Sequence, residues 1–462
     1  MAQHSRYIVV LAAGKGTRMK TVRPKVLHPL AGLPVLHHVL RTARALDPAF
    51  TCVVLGHQAA EIRASVPDSP EIRFVLQEPQ LGTGHALLQA ETELVGRTGT
   101  LLLLSGDVPL LRPSTVQALA AHHETCGAAV TVLTTRLEDP SGYGRIIRSA
   151  RGIERIVEQR DASPEEQRVT EINTGVFAFD LSTVFEHLRR VAAANQQGEY
   201  YLTDIVGICR DRGLDVETLV VDDPSEVRGI NSQRELAELA SLVRQRKNAA
   251  LMDAGVTLVD PGTTYVDVDV DIGPDTVVHP NVQLEGRTRI GSACEIHAGS
   301  RLVDTVVEDG AVVRNHCVLQ QSTVAAAAVI GPFSHLRPQS AVGRGAHVGN
   351  FVELKKTSLG PGSKANHLTY LGDATVGSGV NVGAGTITCN YDGVNKHQTV
   401  IEDGAFIGSD SQLVAPVTIG AGAYVAAGSS IVHDVPAGAL AVARSRQENK
   451  LHWRRRKTAK QD

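Results

Sequence analysis

From residue 272 onward, aliphatic side chains return at every sixth position, and few folds tolerate that period. Ile272, Val278, Leu284, Ile290, Ile296 and Leu302 form the first run. After a shift of register the pattern reads Val306, Val312, Val318, Val324, Ile330, Leu336, Val342, Val348 and Leu354. Val376 and Val382 follow, then Ile401, Ile407, Leu413, Ile419, Val425 and Ile431. Six matches neither an α-helix nor a simple alternating strand. It is the grammar of a parallel β-helix, in which each short strand sends one aliphatic group inward and small residues turn the corner. Glycine often follows the aliphatic position, as in Ile272-Gly273, Ile290-Gly291, Ile330-Gly331 and Ile407-Gly408. That accounts for 43 glycines, because frequent corners need a permissive backbone. It also accounts for only 4% aromatic residues, since a narrow core admits branched aliphatics better than rings. The periodicity leaves the hand of the coil open. Two interruptions are expected, over 355–371 and 387–400, and insertions in a repeat array map to loops that often form its binding face. They hold His367, Tyr370, Asn390, Tyr391 and Asp392.

The first 229 residues obey different rules. Apolar runs at Tyr7–Leu11, Thr51–Leu55, Arg73–Leu76, Thr100–Leu104, Ala129–Thr134 and Val176–Phe179 read as strands. His37–Ala45, His85–Leu94 and Ser114–Glu124 read as helices between them. The alternation predicts a Rossmann-like α/β domain with a mostly parallel, helix-covered sheet. Ser232–Met252 lacks Gly and Pro and carries Leu236, Leu239, Leu242 and Leu251, which predicts one long connecting helix. The expected organisation is an α/β domain over 1–229, a linker helix over 230–252, a coil domain over 253–435 and a basic tail over 436–462. At 462 residues the chain exceeds one ordinary core.

Charge and cysteine usage exclude several classes. A formal net charge of −3 with 21% charged residues shows no global excess of the kind that marks nucleic-acid or membrane partners. No apolar run approaches the roughly eighteen residues of a membrane span, and MAQHSRYIVV lacks a signal-peptide layout. The six cysteines are scattered without C-x-x-C pairs, which argues for reduced thiols in the cytoplasm and against a structural zinc site.

Behind the first strand stands LAAGKGTRMKTVRPK, Leu11 to Lys25. It is not a dinucleotide fingerprint, because Met19 stands where a third glycine belongs, and no P-loop frame fits it. Two readings remain: a bare backbone with Lys15, Arg18 and Lys25 that cradles phosphates, or a tight turn with solvated cations. Gln77–Gly84 (QEPQLGTG) is a second glycine loop leading into a helix. Ser105-Gly106-Asp107 leaves a carboxylate at a strand's C-terminal end, the edge where open α/β sheets bind ligands. Asp107 reads either as a Mg²⁺ ligand or as a turn-capping residue.

With LAAGKGTRM…PK, QLGTGHA and SGDVPLL, this half resembles the sugar-nucleotide pyrophosphorylases. The coil half adds GPFSHLRP, GNFVELKK, HLTYLGD, GAGTITCNYDG and IGSDSQLVAPV. Together they resemble, across essentially the full chain, the bacterial family of bifunctional N-acetylglucosamine-1-phosphate uridyltransferases/glucosamine-1-phosphate acetyltransferases. The resemblance implies that Leu11, Ala12, Ala13, Gly14, Lys25, Gln77, Gly82, Thr83, Ser105 and Gly106 contact UTP or its product, with Ser105 a departure from the family pattern. It places Gly142, Glu158 and Asn173 around the sugar, and Mg²⁺ on Asp107 and Asn231. In the coil it implies His367 as catalytic base, with Arg337, Lys355, Tyr370, Asn381 and Asn390 on the sugar phosphate. Acetyl-CoA falls to Ala384, Asn390, Tyr391, Ser409, Ala427 and Arg444. It further implies a left-handed coil packed as a homotrimer with active sites between subunits.

Chemistry supports part of this. Acetylating an amine requires a proton acceptor, and histidine with an ordinary pKa near 6.5 suits the task. The coil also holds His279, His297, His316, His335, His347, His397 and His433, which read mostly as outward-facing loop residues, and a zinc site is the alternative for any cluster of them. Asn381 and Ser409 read equally as corner residues. The tail Ala443–Lys460, with the only tryptophan, Trp453, is either a disordered cationic end or an arm reaching a neighbour's coenzyme phosphates. Three functions fit the repeats: the two-reaction enzyme, a pyrophosphorylase for another nucleotide sugar with a regulatory coil, or a scaffold.

Overall fold

The computed structural model describes residues 5–453. The chain divides into two compact units between Val243 and Arg244, inside the long helix Gln233–Asp253.

In the first unit nine strands form one sheet: β1 (Arg6–Ala12), β2 (Thr51–Leu55), β3 (Ile72–Leu76), β4 (Thr100–Ser105), β5 (Val130–Arg136), β6 (Arg145–Ser149), β7 (Gly152–Val157), β8 (Glu171–Asp180) and β9 (Val216–Val220). Their order is β9-β5-β8-β4-β1-β2-β3, with the β6–β7 hairpin attached to β8. Strand β1 runs parallel to both β2 and β4, while β8 is antiparallel to β4 and β5. Alternate residues of β1 enter different cores: Tyr7 and Val9 face one layer, Ile8 and Val10 the other. Burial on both faces explains the near-continuous apolar runs. The chain departs from β1 toward β2 on one side and returns at β4 on the other. That switch point opens a crevice at the strands' C-terminal ends. The hairpin β6–β7 and strand β9 escape a reading by apolar runs, because RIIRS and GIERIV carry charges on their exposed face.

The second unit is a parallel β-helix whose three faces are sheets of 11, 10 and 9 strands. Each turn pairs in register with the next, so Val278, Ile296, Val313, Ile330, Val348, Ala365, Val382, Ile407 and Val425 stack in one column. All nine are buried. Fully burying each valine or isoleucine of the column stabilises by about 1.5–3 kcal/mol, repeated along the axis. Among the described residues no helix is long and apolar enough to cross a membrane.

Two expectations about the repeat need correction. The inward positions after Leu302 are Val307, Val313 and Leu319, whereas Val306 is 41% exposed. A step of five residues, not six, carries the chain from Leu302 to Val307; consecutive valines at 306–307 and 312–313 hid it. The interruption expected over 355–371 is absent: Leu359, Ala365 and Leu371 continue the core. Ala365 is simply too small to register as a core residue by type. The later insertion is real but shorter, because Thr388 still points inward, its hydroxyl bonded to the backbone of Gly372. The chain leaves the coil at Asn390 and rejoins it at Thr399–Ile401.

This register makes a direct prediction. Val307→Ala should cost about 2 kcal/mol of stability through lost burial and a residual cavity, whereas Val306→Ala should stay within about 0.5 kcal/mol. Denaturant unfolding of the two variants checks it.

Candidate active sites

At the switch point lies a cleft of about 520 Å³, lined by the backbone of Leu11–Gly14, by Lys25, Gln77, Gly82 and Thr83, and by Ser105, Asp107 and Asn231. Lys25 Nζ lies 2.5 Å from Asp107 Oδ2 and 3.2 Å from Asn231 Oδ1. Three distant segments therefore converge on one cation. Gly106 is required because a side chain there would lie 2.8 Å from the Leu11 carbonyl, which accepts the Gly106 N–H. Gly82 has φ +112 and approaches Tyr200 so closely that an added Cβ would lie 2.7 Å from its carbonyl oxygen. Gln77, buried beneath this loop, donates to the Gly82 carbonyl at 2.9 Å and holds the loop open. A carboxylate and an amide oxygen already facing a cationic group form a hard-oxygen donor set, which fits Mg²⁺ shared with phosphate and water.

Gly142, Glu158 and Asn173 lie apart from this lining, around the β6–β7 hairpin. The Gly142 N–H donates to Gln159, and Asn173 Oδ1 accepts from the Gly175 N–H. A Cβ on Gly175 would lie 3.1 Å from Ser105 Oγ, so the irregular stretch of β8 between Asn173 and Phe177 reaches the cleft's rim. Burial raises the Glu158 carboxyl above its ordinary range, with Asp204 and Asp161 adding to the effect and a hydrogen bond from Thr203 opposing it.

The coil carries a second arrangement. Asn350, His367, Ala384, Ser409 and Ala427 occupy one corner on successive turns. The N–H following each upper residue bonds to the carbonyl of the turn below: Leu368 to Asn350, Gly385 to His367, Asp410 to Ala384 and Gly428 to Ser409. Arg444 closes the column by donating to the Ala427 carbonyl at 2.9 Å. With turns about 4.8 Å apart, the column forms a straight row of residues along the coil axis. His367 is exposed, and its Nδ1 lies 3.0 Å from Asn350 Oδ1. The amide oxygen accepts only, so Nδ1 carries the proton and Nε2 presents a lone pair outward.

On the adjoining face, Lys355 Nζ meets Asp373 Oδ2 at 2.8 Å, and Asn390 Nδ2 donates to the same oxygen at 2.5 Å. The hydrogen bond to Asp373 raises the Lys355 ammonium above its ordinary range. Proximity to Lys355 lowers Lys396, which also feels Arg337. Arg337 in turn pairs with Glu353 at 2.9 Å. Three cations with too few anions around them suit a phosphate.

Of the sequence candidates, the structure thus groups His367, Ala384, Ser409, Ala427 and Arg444 on the column, and Arg337, Lys355 and Asn390 on the cationic face. Tyr370 stacks one turn above Glu353. Asn381 lies above Lys364 and carries no hydrogen bond tying it to either group. Tyr391 opens the insertion and bonds within it, to Gly393. Three residues of these groups are not marked by the sequence: Asn350, Asp373 and Lys396. The first two lie inside the quoted segments GNFVELKK and HLTYLGD, but only the turn-over-turn register shows what they touch. The tail beyond Trp453 lies outside the described residues.

Cleft and coil together define a nucleotidyltransferase joined to a hexapeptide-repeat acyltransferase. Residues 8–173 match the MobA-like NTP transferase domain, and residues 398–433 match the bacterial transferase hexapeptide with its six repeats. The chain is 50% identical over 446 residues to the bifunctional protein GlmU of Trichlorobacter lovleyi, covering 96% of this chain and 97% of that one. It is 50% identical over 467 residues to that of Geobacter sulfurreducens, covering 97% and 98%. It is 48% identical over 459 residues to that of Koribacter versatilis, covering 98% and 97%. The chain belongs to the family of bifunctional GlmU proteins, and its coil is a left-handed parallel β-helix.

The Lys355–Asp373 pair makes a pH prediction. Burial works to raise the Asp373 carboxyl, but hydrogen bonds from Lys355 and Asn390 outweigh it and hold the group below its ordinary range. A depressed carboxyl contributes stability that is present above the unfolded value, near pH 4, and is lost as pH falls through the folded one. Asp373→Asn should therefore melt below wild type at neutral pH. The gap should close on acidification below about pH 4, as read by melting curves across that range.

Proposed function

We propose that this chain makes UDP-N-acetylglucosamine in two reactions carried by two separate sites, with the residue roles given below. The protein is an enzyme of the bifunctional GlmU family: the coil transfers an acetyl group to glucosamine-1-phosphate, and the α/β unit joins the product to a uridylyl group. The observation that carries the reading is 50% sequence identity to a bifunctional relative over 96% of the chain, a span that includes residues of both units.

In the coil, the amine of glucosamine-1-phosphate attacks the thioester carbonyl of acetyl-CoA. A C–N bond forms, the C–S bond breaks and coenzyme A leaves as thiolate. His367 Nε2 takes the amine proton, with Asn350 holding the tautomer that leaves Nε2 free. Arg337, Lys355 and Lys396 bind the phosphate, Tyr370 and Asn381 border the sugar, and the carbonyl-linked column with Asn390, Tyr391 and Arg444 takes the cofactor. In the cleft, a phosphate oxygen of N-acetylglucosamine-1-phosphate attacks the α-phosphorus of UTP, and the bond to the departing pyrophosphate breaks. The attacking oxygen is already ionised, so no base is needed; orientation and charge neutralisation provide the acceleration. Mg²⁺, when bound by Asp107 and Asn231, supplies positive charge to the phosphate oxygens. Lys25 adds a second cation, the Leu11–Gly14 backbone seats the nucleotide, and Gly142, Glu158 and Asn173 hold the sugar.

A homotrimer suits this coil. Phe333, Phe351 and Leu368 are 49%, 56% and 64% exposed and share one corner on successive turns beside Asn350 and His367. Phe333 and Phe351 stack at 5.4 Å. A convex surface cannot enclose a long cofactor alone, and an apolar stripe bordering the site supports a neighbouring subunit there. Six cysteines, all free, support a cytoplasmic setting.

Asp107→Asn should lower uridylyl transfer by at least about 100-fold and spare acetylation. His367→Ala should do the reverse, lowering acetylation by about 10²–10⁴-fold. Separate assays with acetyl-CoA and with UTP read both arms, and equal loss of both activities in either variant would sink the two-site reading. Lys396→Ala should raise KM for glucosamine-1-phosphate while kcat changes little, because in this reading its contact with the substrate is to the phosphate and not to the reacting amine.

A further inference from the structure

Among residues that neither site includes, on the early turns of the coil, two imidazoles and a carboxylate share one surface. His279 and His297 occupy equivalent positions on successive turns, since Val278 pairs with Ile296 directly before them. Their rings stack with centroids 4.7 Å apart and planes within 7°. Glu295 stands between them: its Oε1 lies 3.1 Å from His279 Nε2 and 3.4 Å from His297 Nε2. Among the described residues this is the one group of three or more such side chains with metal-ligand spacing; all three donor atoms lie within 4.8 Å of one another. Neither proposed reaction uses it.

The distances carry the argument. A tetrahedral ion with bonds of about 2.0–2.1 Å holds its donors about 3.3 Å apart. The two nitrogen–oxygen separations, 3.1 and 3.4 Å, bracket that value, and all the donor atoms lie within 4.8 Å of one another. The side chains are 26–45% exposed, while backbone bonds from His279 to Ile296 and from His297 to Val313 fix the scaffold beneath them. We propose that His279, Glu295 and His297 form a binding site for one divalent late first-row transition ion, Zn²⁺ in particular, with water completing its shell. Two imidazoles exclude Mg²⁺ and Ca²⁺ as preferred occupants. The ligands come from two successive turns, so the ion staples them together near the coil's start.

The test is Zn²⁺ titration of the full-length protein in excess Mg²⁺, which saturates the oxygen site in the cleft, with Co²⁺ as a spectroscopic substitute. Wild type should bind one equivalent that H279Q/H297Q lacks. Its Co²⁺ form should show the visible absorption of a four-coordinate site, and Zn²⁺ should raise its melting midpoint. Glu295→Gln should weaken that equivalent by tenfold or more. The pair His122 and Cys126, with nitrogen and sulfur 3.7 Å apart, offers only two donors and is unchanged in these variants, so its contribution cancels. Acetyl and uridylyl transfer at wild-type rates verify that each variant is folded. Equal Zn²⁺ stoichiometry and affinity in wild type and H279Q/H297Q would overturn the proposal, as would no Zn²⁺ uptake by wild type; the cluster would then be a carboxylate accepting from two imidazoles.

Discussion

The backbone ladder joining each turn of the coil to the next is the constraint on which the second unit's chemistry depends. Inward aliphatic columns hold the turns at fixed spacing, so the outward residues have no freedom to choose their neighbours. His367 meets Asn350 because Asn350 lies one turn below it in the register. Ala384, Ser409 and Ala427 line up above for the same reason. A dry column of Val, Ile and Leu thus acts at a distance, as the ruler that positions polar groups to within hydrogen-bond tolerance. The α/β unit obtains the same precision differently. Pairing of Leu11 with Ser105 across β1 and β4 places two strand ends side by side, and the loops that follow them share one cleft.

Both proposed sites hold their cations on partial counter-charges. Lys25 leans on Asp107 and Asn231, and Lys355 leans on Asp373 while Lys396 crowds it. Full neutralisation would leave nothing for a phosphate, and no neutralisation would drive the lysines apart. An acid that fixes the geometry while leaving net positive charge reconciles these demands. The insertion 390–398 brings Lys396 and Asn390 to this cluster.

Much of this was legible in residue types and spacing. The period of six requires a coil, strand–helix alternation requires a covered, mostly parallel sheet, and glycines beside lysines mark the loop that lines the cleft. Where residue type and core position part company, the cause is local. Consecutive valines at 306–307 satisfy either register, and only packing distinguishes the inward one. Ala365 fills a core position with a side chain that looks like filler, and its presence erased an apparent interruption. Asn350 and Lys396 are ordinary polar residues until their neighbours are known.

Linear order alone therefore determined the architecture and the kinds of chemistry the chain can host, because periodicity and residue type are properties of neighbouring positions. The pairing of His367 with Asn350, of Lys25 with Asp107 and Asn231, and of His279 with His297 through Glu295 belongs to the tertiary structure. Those partners stand 17, 82, 206 and 18 positions apart, and what joins them is turn-on-turn stacking and strand register, which no local window of sequence contains.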